Sequence, residues 1–133
     1  MPAHFEDIEV GQVVALGSME LSEPMVASFN ATFAPNRDLS EGACDALVYS
    51  VWSSLDEAAS AGWPQTKRLA VDALRWGRTP PAGDMLRGRM TVMGKDAVGP
   101  GKGIVFAQHD LLDQAGRLVF SCLTRSLFAS REA

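Results

Sequence analysis

Three carboxylates fall close together around the start of one long segment with apolar periodicity. Asp38 and Glu41 come first, and Asp45 follows four residues later. A carboxylate at the start of a helix can activate a water molecule against a carbonyl group that the helix amides hold. The alternative is structural: Glu41 and Asp45 would favour the positive end of the helix, and Asp38 would make a surface pair with Arg37 or a turn contact. The residue types alone leave both interpretations open.

The segment that must position these carboxylates is Ser40–Gly62, SEGACDALVYSVWSSLDEAASAG. Its apolar residues recur at the spacing of a helix that is buried along one side. Gly62 suits the left-handed residue that ends a helix, and Pro64 follows where a helix cannot continue. The spacing therefore predicts one long central helix, for which Ser40 and Asp45 are both possible capping residues. The apolar positions are Leu47, Val48, Val51, Trp52, Leu55, Ala58 and Ala59.

The remaining segments predict an α+β fold in a single domain over residues 1–133. One strand and a short helix opened by Ser22-Glu23-Pro24 precede the central helix, and nearly everything after it has the pattern of strands. A single long helix followed by a run of strands predicts a curved antiparallel sheet wrapped around that helix. The glycine-rich stretch 94–103 is predicted to be a flexible loop. The predicted strands are 12–21, 67–76, 85–93, 104–112 and 118–128.

The composition excludes several broad classes of function. Hydrophobic residues make up 47% of the 133 residues, which favours a buried core and argues against disorder. The net charge of −4 argues against nucleic acid or an anionic membrane as the main partner. Two isolated cysteines, Cys44 and Cys122, indicate neither a disulfide framework nor a zinc site. Without a signal-like or membrane-spanning run, the sequence predicts a cytoplasmic protein with no metal or cofactor.

Several stretches resemble the MaoC-like acyl dehydratases and (R)-specific enoyl-CoA hydratases, which have the hotdog fold. They are FEDIEVGQVV, LSEPMVASFNATF, LRWGRTPPAGDMLRGRMTV and GIVFAQHDLLDQAGRLVFSCLTRSLF, and together they cover almost the whole chain. The resemblance implies that the long helix lies inside the curved sheet. It also implies a homodimer paired through strand 67–76. The implied substrate is an acyl thioester of coenzyme A or carrier protein, hydrated or dehydrated across the 2,3 bond.

The catalytic positions that the resemblance implies are where this sequence differs. Active members carry an Asp, and a His several residues later, just before the long helix. With Pro35 in register, Ala34 takes the position of the Asp and Leu39 approximately that of the His. No histidine occurs between His4 and His109, so shifting the alignment does not restore one. The usual acid–base pair is therefore predicted to be absent.

Five further residues are candidates for binding the substrate. Gly42 could let a thioester approach the backbone, or it could only relax the entry to the helix. Trp52 could line an acyl tunnel, although its place on the central helix first predicts a core residue. Three arginines flank the turn WGRTPP and could bind the phosphates of coenzyme A, or else form strand-end contacts and dimer salt bridges. These are Arg75, Arg78 and Arg87.

Four other residues are assigned structural roles. Asp56 and Glu57 fall late in the helix and are predicted to face solvent, and Cys44 is predicted to pack rather than react. His109 follows Val105 in a strand, where a lone histidine is more often structural or interfacial than catalytic.

Three functions follow from these observations. The first is a hydratase or dehydratase with an altered site. The second is a subunit that binds an acyl thioester without turnover, or supports an active homologue in a heterodimer. The third is a thioesterase that uses Glu41 or Asp45.

Overall fold

A computed structural model describes residues 2–131 of the chain. Its strands and helices follow one another in the predicted order. One 3₁₀ turn, Phe5–Asp7, precedes the first strand, and another, Leu39–Glu41, lies between the two helices. The sheet strands and helices are β1 (Val13–Glu20), α1 (Glu23–Phe33), α2 (Asp45–Ala59), β2 (Gln65–Trp76), β3 (Met85–Gly99), β4 (Lys102–Leu112) and β5 (Leu118–Ala129).

The five strands form one antiparallel sheet in the order β1-β3-β4-β5-β2. α2 packs on the inner face of this sheet, so its apolar stripe and the inward side chains of β3, β4 and β5 form one core. Trp52 and Phe120 are the largest fully buried side chains of that core. β2 lies at the edge of the sheet, and most of its residues are exposed or half-buried. The predicted α+β architecture, a curved antiparallel sheet around one central helix, is confirmed.

α1 begins and ends where its residue types require. The Ser22 hydroxyl accepts a hydrogen bond from the Met25 amide at 3.3 Å, and a proline occupies the first turn, where no backbone donor is needed. The helix ends at Phe33, two residues before Pro35.

α2 begins at Asp45, and Cys44 rather than Ser40 or Asp45 occupies its N-cap position. The preceding segment forms the 3₁₀ turn Leu39–Glu41 and is followed by Gly42 with a φ of 76°. A Cβ atom at Gly42 would lie 2.6 Å from the carbonyl oxygen of Pro80, so the chain passes here too closely for a side chain. The glycine therefore separates the carboxylates Asp38 and Glu41 from the helix.

The prediction of a flexible loop over residues 94–103 is wrong. β3 continues to Gly99 and β4 starts at Lys102, so the two strands are joined by a tight turn. Three of the four glycines in this stretch lie in the strands, at places where a register shift or a close neighbouring side chain favours glycine. Gly94 and Gly99 lie at register shifts between β3 and β4, and Gly103 leaves room for the ring of Phe5, which a Cβ atom would approach to 2.5 Å.

Candidate functional site

The segment before α2 is held in shape by the Arg37 side chain. Its guanidinium donates hydrogen bonds to the backbone carbonyls of Glu41, Gly42 and Ala43, at 2.9, 3.0 and 3.2 Å. The Ala43 amide in turn donates to the Pro80 carbonyl at 3.0 Å. Arg37 is therefore occupied by the backbone, and the predicted surface pair with Asp38 is not formed.

Two of the three candidate carboxylates make local turn contacts. Glu41 Oε2 accepts a hydrogen bond from the Asp38 amide at 2.8 Å, and Asp38 Oδ2 accepts one from the Ser40 hydroxyl at 2.8 Å. Both side chains are exposed. These contacts support the 3₁₀ turn, which is the structural alternative for Asp38 and Glu41. As catalytic residues they stay predictions.

The third carboxylate, Asp45, is the first residue of α2 and is exposed. Its backbone carbonyl accepts a hydrogen bond from the Trp76 indole at 3.1 Å, which links the start of α2 to the end of β2. Cys44 occupies the N-cap position, and its side chain makes no capping hydrogen bond. The first-turn amides of α2 therefore lack the side-chain acceptor that most helices provide.

An open pocket of about 350 Å³ lies against this segment. Ala34 forms one side of it, at the end of α1, and carries no group that can transfer a proton. Leu39 is half-buried and packs against the core. The residues that line the pocket are Ala34, Pro35, Asn36, Arg37, Glu41 and Cys44.

The five candidate binding residues lie in different surroundings. Gly42 is buried against Pro80, and Trp52 is a core residue with 2% of its surface exposed. Arg78 donates hydrogen bonds to Asp84 at 2.8 Å and to Asp113 at 3.0 Å.

The other two arginines, Arg75 and Arg87, are exposed and line separate depressions. That of Arg75 has a volume of about 300 Å³ and that of Arg87 about 530 Å³. Coenzyme A binding by the three arginines stays a prediction.

A second polar cluster lies inside the sheet, along the later half of α2. Asp56 pairs with Arg68 of β2 at 2.5 Å, and its Oδ1 atom lies 3.9 Å from Nδ1 of His109. Nε2 of His109 is hydrogen-bonded to the Thr124 hydroxyl at 2.9 Å. Trp52 covers the group, with its ring edge-on to His109 and the Arg68 guanidinium 5.9 Å above its centroid. The cluster thus joins α2, β2, β4 and β5.

The prediction that Asp56 faces solvent is wrong, because only 7% of the residue is exposed. The sequence did contain the signal: Asp56 follows Val48 and Trp52 at intervals of four, so it shares their buried stripe. His109 likewise alternates with Val105, Ala107 and Leu111 on the inner face of β4. Glu57, the neighbour of Asp56, is exposed as predicted.

Burial shifts the proton affinities of this cluster. It lowers the pKa of His109 to about 3, with a further contribution from the positive charge of Arg68. The imidazole is therefore neutral at pH 7. Burial also raises the pKa of Asp56, and the pairing with Arg68 opposes that rise. Burial thus disfavours the charged form of both groups, while the ion pair with Arg68 favours the charged form of Asp56.

Three nitrogen atoms in this cluster and the covering Trp52 have no hydrogen-bond partner within residues 2–131. They are Nδ1 of His109, Nη1 of Arg68 and Nε1 of Trp52. The first two belong to residues that line a cavity of about 10 Å³ together with Asp56. On its other side the Asp56–Arg68 pair borders an open groove of about 220 Å³ between α2 and β2. Buried polar groups are rarely left unpaired, so the two atoms mark a place for a further polar group.

Metal ions and membrane spans have no support among the described residues. Over residues 2–131 no three or more His, Cys, Asp and Glu side chains are grouped so that they could hold a metal ion. Neither helix in this range is long and apolar enough to cross a membrane.

Comparison of the sequence with protein-family models and with curated proteins found no match. Comparison of the structure with solved structures did. A MaoC-like dehydratase from Rhodospirillum rubrum is similar with a TM-score of 0.84 and 20% identity, over 98% of this chain and 99% of that one. An (R)-hydratase from A. caviae involved in PHA biosynthesis gives 0.71 and 20%, over 91% and 97%.

A third similar structure is the double hotdog protein RV0216 from Mycobacterium tuberculosis. It gives a TM-score of 0.79 at 23% identity, over 96% of this chain and 44% of that one. Together with the sheet wrapped around α2, these similarities show that the chain has the hotdog fold. The fold that the sequence resemblance implied, that of the MaoC-like dehydratases and hydratases, is therefore confirmed.

Proposed function

We propose that this protein binds an acyl thioester of coenzyme A or of a carrier protein at the start of α2. In this proposal it descends from the hydratase and dehydratase lineage but holds its ligand without the usual Asp/His pair. Similarity of fold to a MaoC-like dehydratase and to an (R)-hydratase supports the lineage. Fold alone does not determine activity, so the proposal depends on the local geometry at α2.

The observation that carries the proposal is the uncapped helix start beside the 350 Å³ pocket. First-turn amides point out of a helix and carry part of its positive dipole, so they bind carbonyl and anionic oxygens well. Cys44 is both the N-cap residue and part of the pocket wall. A thioester carbonyl placed in the pocket would take the position that a capping side chain leaves free.

Binding without turnover is favoured because the pocket lacks a proton-transfer pair. Asp38 and Glu41 are engaged in the 3₁₀ turn, and Ala34 and Leu39 have no ionisable group. The one buried histidine, His109, lies on the inner face of β4, beside the later half of α2. We infer that the chain acts as an acyl-thioester-binding subunit, alone or beside a homologue that carries the pair.

Replacement of Cys44 tests the binding site directly. In Cys44→Asp, the new carboxylate caps the helix and competes with the ligand, while Cys44→Ala removes the thiol without adding an acceptor. We expect Cys44→Asp to be more stable than Cys44→Ala by about 1 kcal/mol and to bind acyl-CoA at least tenfold more weakly. Calorimetric titration and urea unfolding measure the two effects. Equal acyl-CoA affinity in the two variants would contradict the proposed site.

A thioesterase is the second candidate, because Glu41 lines the pocket. It predicts release of free thiol from acyl-CoA, and loss of that release in Glu41→Gln or Asp45→Asn. Hydratase activity is measured in parallel from the absorbance of enoyl-CoA substrates of several chain lengths. Turnover in either assay would replace the binding role with an enzymatic one.

A dimer formed through β2 is the assembly we propose. β2 is an edge strand, and such edges present unpaired backbone groups that a second strand can complete. One side of β2 pairs with β5 and the other is unpaired within residues 2–131. Leu69, Leu74 and Trp76 are exposed on this strand by 45%, 39% and 40%, and such apolar side chains beside an unpaired edge favour an interface. The partner would be a second copy or a homologue with the Asp/His pair.

A further inference from the structure

An open depression of about 530 Å³ lies on the outer face of the sheet, where β1, β3 and the end of β4 meet. Side chains alternate along β3, so Leu86 belongs to the core while Met85 and Arg87 point away from it. Much of the wall is apolar, because Val13 is exposed by 63% and Met85 by 44%, and Leu112 joins them from β4. Small-molecule sites have this volume and this mixture of apolar walls with a few polar groups. The outer-face depression shares no lining residue with the pocket at the start of α2.

One cation of the outer-face depression is free to bind a ligand. Nε of Arg89 donates a hydrogen bond to Asp110 at 3.0 Å, so this arginine already has a carboxylate partner. The side-chain oxygen of Gln114 accepts a hydrogen bond from the Met85 amide at 3.1 Å. The guanidinium of Arg87, in contrast, makes no hydrogen bond or ion pair within residues 2–131. Arg87 can therefore offer its donors to an anion.

A β-bulge in β1 places a hydroxyl group opposite this guanidinium. Ala15 pairs with Arg89, and the register then shifts so that Ser18 pairs with Arg87. Without the extra residue, Gly17 would stand opposite Arg87 and the hydroxyl would be turned to the inner face. Ser18 is exposed, and its hydroxyl has no hydrogen-bond partner among the described residues. Because paired residues of antiparallel strands have Cβ atoms about 5 Å apart, the guanidinium and the hydroxyl can bind the same group.

The two free groups match a carboxylate better than a phosphate. A guanidinium binds a carboxylate through two parallel hydrogen bonds, and the Ser18 hydroxyl can donate a third. The single charge of a carboxylate balances one free arginine. A phosphate ester carries about −1.5 to −2 charges at pH 7, and a chain with a net charge of −4 disfavours that excess. The apolar walls add the requirement that the carboxylate be attached to an apolar body.

We propose that the outer-face depression binds an amphipathic monocarboxylate. Its carboxylate is held by Arg87 and Ser18, and its apolar body covers Val13, Met85 and Leu112. The site goes beyond the acyl-thioester function proposed at α2 and does not depend on it. The apolar contacts supply affinity, and the free arginine supplies the selectivity for an anion.

The test is a titration of ¹⁵N-labelled protein with octanoate, octanamide and acetate, followed by amide chemical shifts. Octanoate should bind about tenfold or more tightly than octanamide, which cannot form the charge-assisted hydrogen bonds. It should exceed acetate by at least the same factor, because acetate lacks the chain that covers the apolar walls. The shifts should be concentrated in residues 13–18, 85–89 and 112–114.

Three variants at exposed positions assign the roles of the polar groups. Arg87→Gln should weaken octanoate binding by about tenfold or more, and Ser18→Ala by about threefold. The matched control is Arg125→Gln, which removes an exposed arginine of β5 outside the depression and should bind octanoate as the wild type does. The amide spectrum of each variant reports directly whether its fold is intact.

Each contrary outcome overturns a defined part of the proposal. Equal affinity for octanamide and octanoate would overturn the recognition of a carboxylate. Undiminished binding by Arg87→Gln would overturn the assignment to this depression, and so would shifts confined to residues 34–44. Failure of octanoate to bind, together with a lower mass of Val13→Glu in light scattering, would show that a second copy covers this face instead. None of these results bears on thioester binding at α2, which the Cys44 variants test separately.

Discussion

Mild acid should destabilise this protein through His109. The residue is 1% exposed, and its pKa is lowered to about 3 because burial disfavours the charged ring and Arg68 repels it. In the unfolded chain the imidazole has the ordinary pKa of about 6.5. As the pH falls below 6.5 the unfolded chain takes up a proton that the folded chain does not, so stability is lost between about pH 6.5 and pH 3.

The size of the effect follows from the same two pKa values. Below the unfolded pKa, each further unit of pH costs about 1.4 kcal/mol until the folded pKa is reached. At pH 5 the loss attributable to His109 is therefore about 2 kcal/mol relative to pH 7. At pH 3 it would reach about 4 kcal/mol, which is a large part of the whole stability of a small domain.

Urea unfolding at pH 7 and pH 5 measures this loss. His109→Gln cannot take up a proton, so its stability should fall by about 2 kcal/mol less than that of the wild type over the same interval. The matched control is His4→Gln, which removes the other histidine of the chain and should behave as the wild type. The effect of Asp56 on stability has the opposite sign as the pH falls, because its raised pKa favours proton uptake by the folded state. That contribution is present in all three proteins, so the difference between them isolates His109. The reasoning is refuted when His109→Gln loses as much stability as the wild type.

Two other predictions concern the start of α2 and the sheet edge. Gly42→Ala should lower the free energy of unfolding by about 3 kcal/mol, because the φ of 76° and the approach to Pro80 both oppose a side chain. Gly83→Ala, with a φ of +99° but nothing within 4 Å, should cost only about 1–2 kcal/mol, and similar losses would contradict the close-approach argument. Leu69→Glu should convert a dimer to monomers in size-exclusion chromatography with light scattering, whereas Val98→Glu, which changes an equally exposed side chain, should not. A monomeric wild type, or a dimeric Leu69→Glu, would remove β2 from the proposed interface.

The fold was predictable because its periodic patterns are long. The apolar stripe of α2 and the alternation in β4 and β5 each depend on many residues, so single exceptions do not obscure them. The prediction for the glycine-rich stretch failed because a pair of strands with glycines at register shifts can have the same composition as a flexible loop.

The candidate site was predictable only in part. The carboxylates before the helix could be found by residue type. Their engagement in a 3₁₀ turn is accompanied by the close approach of Gly42 to Pro80, and these two residues are distant from each other in the sequence. Asp56 was misplaced because a carboxylate on a helix normally faces solvent. Its burial is made possible by Arg68 and His109, which reach it from β2 and β4. The tertiary fold brings Arg68 and His109 to Asp56, and no local sequence pattern predicts that contact.

The hairpin between β4 and β5 helps to fix the start of α2, which is distant from it in the sequence. Asp113 is fully buried there and holds Arg78, which belongs to the same short connection as Pro80. Pro80 in turn receives the Ala43 amide at the start of α2. The frame of the pocket is therefore set by residues outside its lining, and the lining can change without moving that frame. A scaffold built in this way could lose one chemistry and acquire another through a few substitutions in residues 34–41.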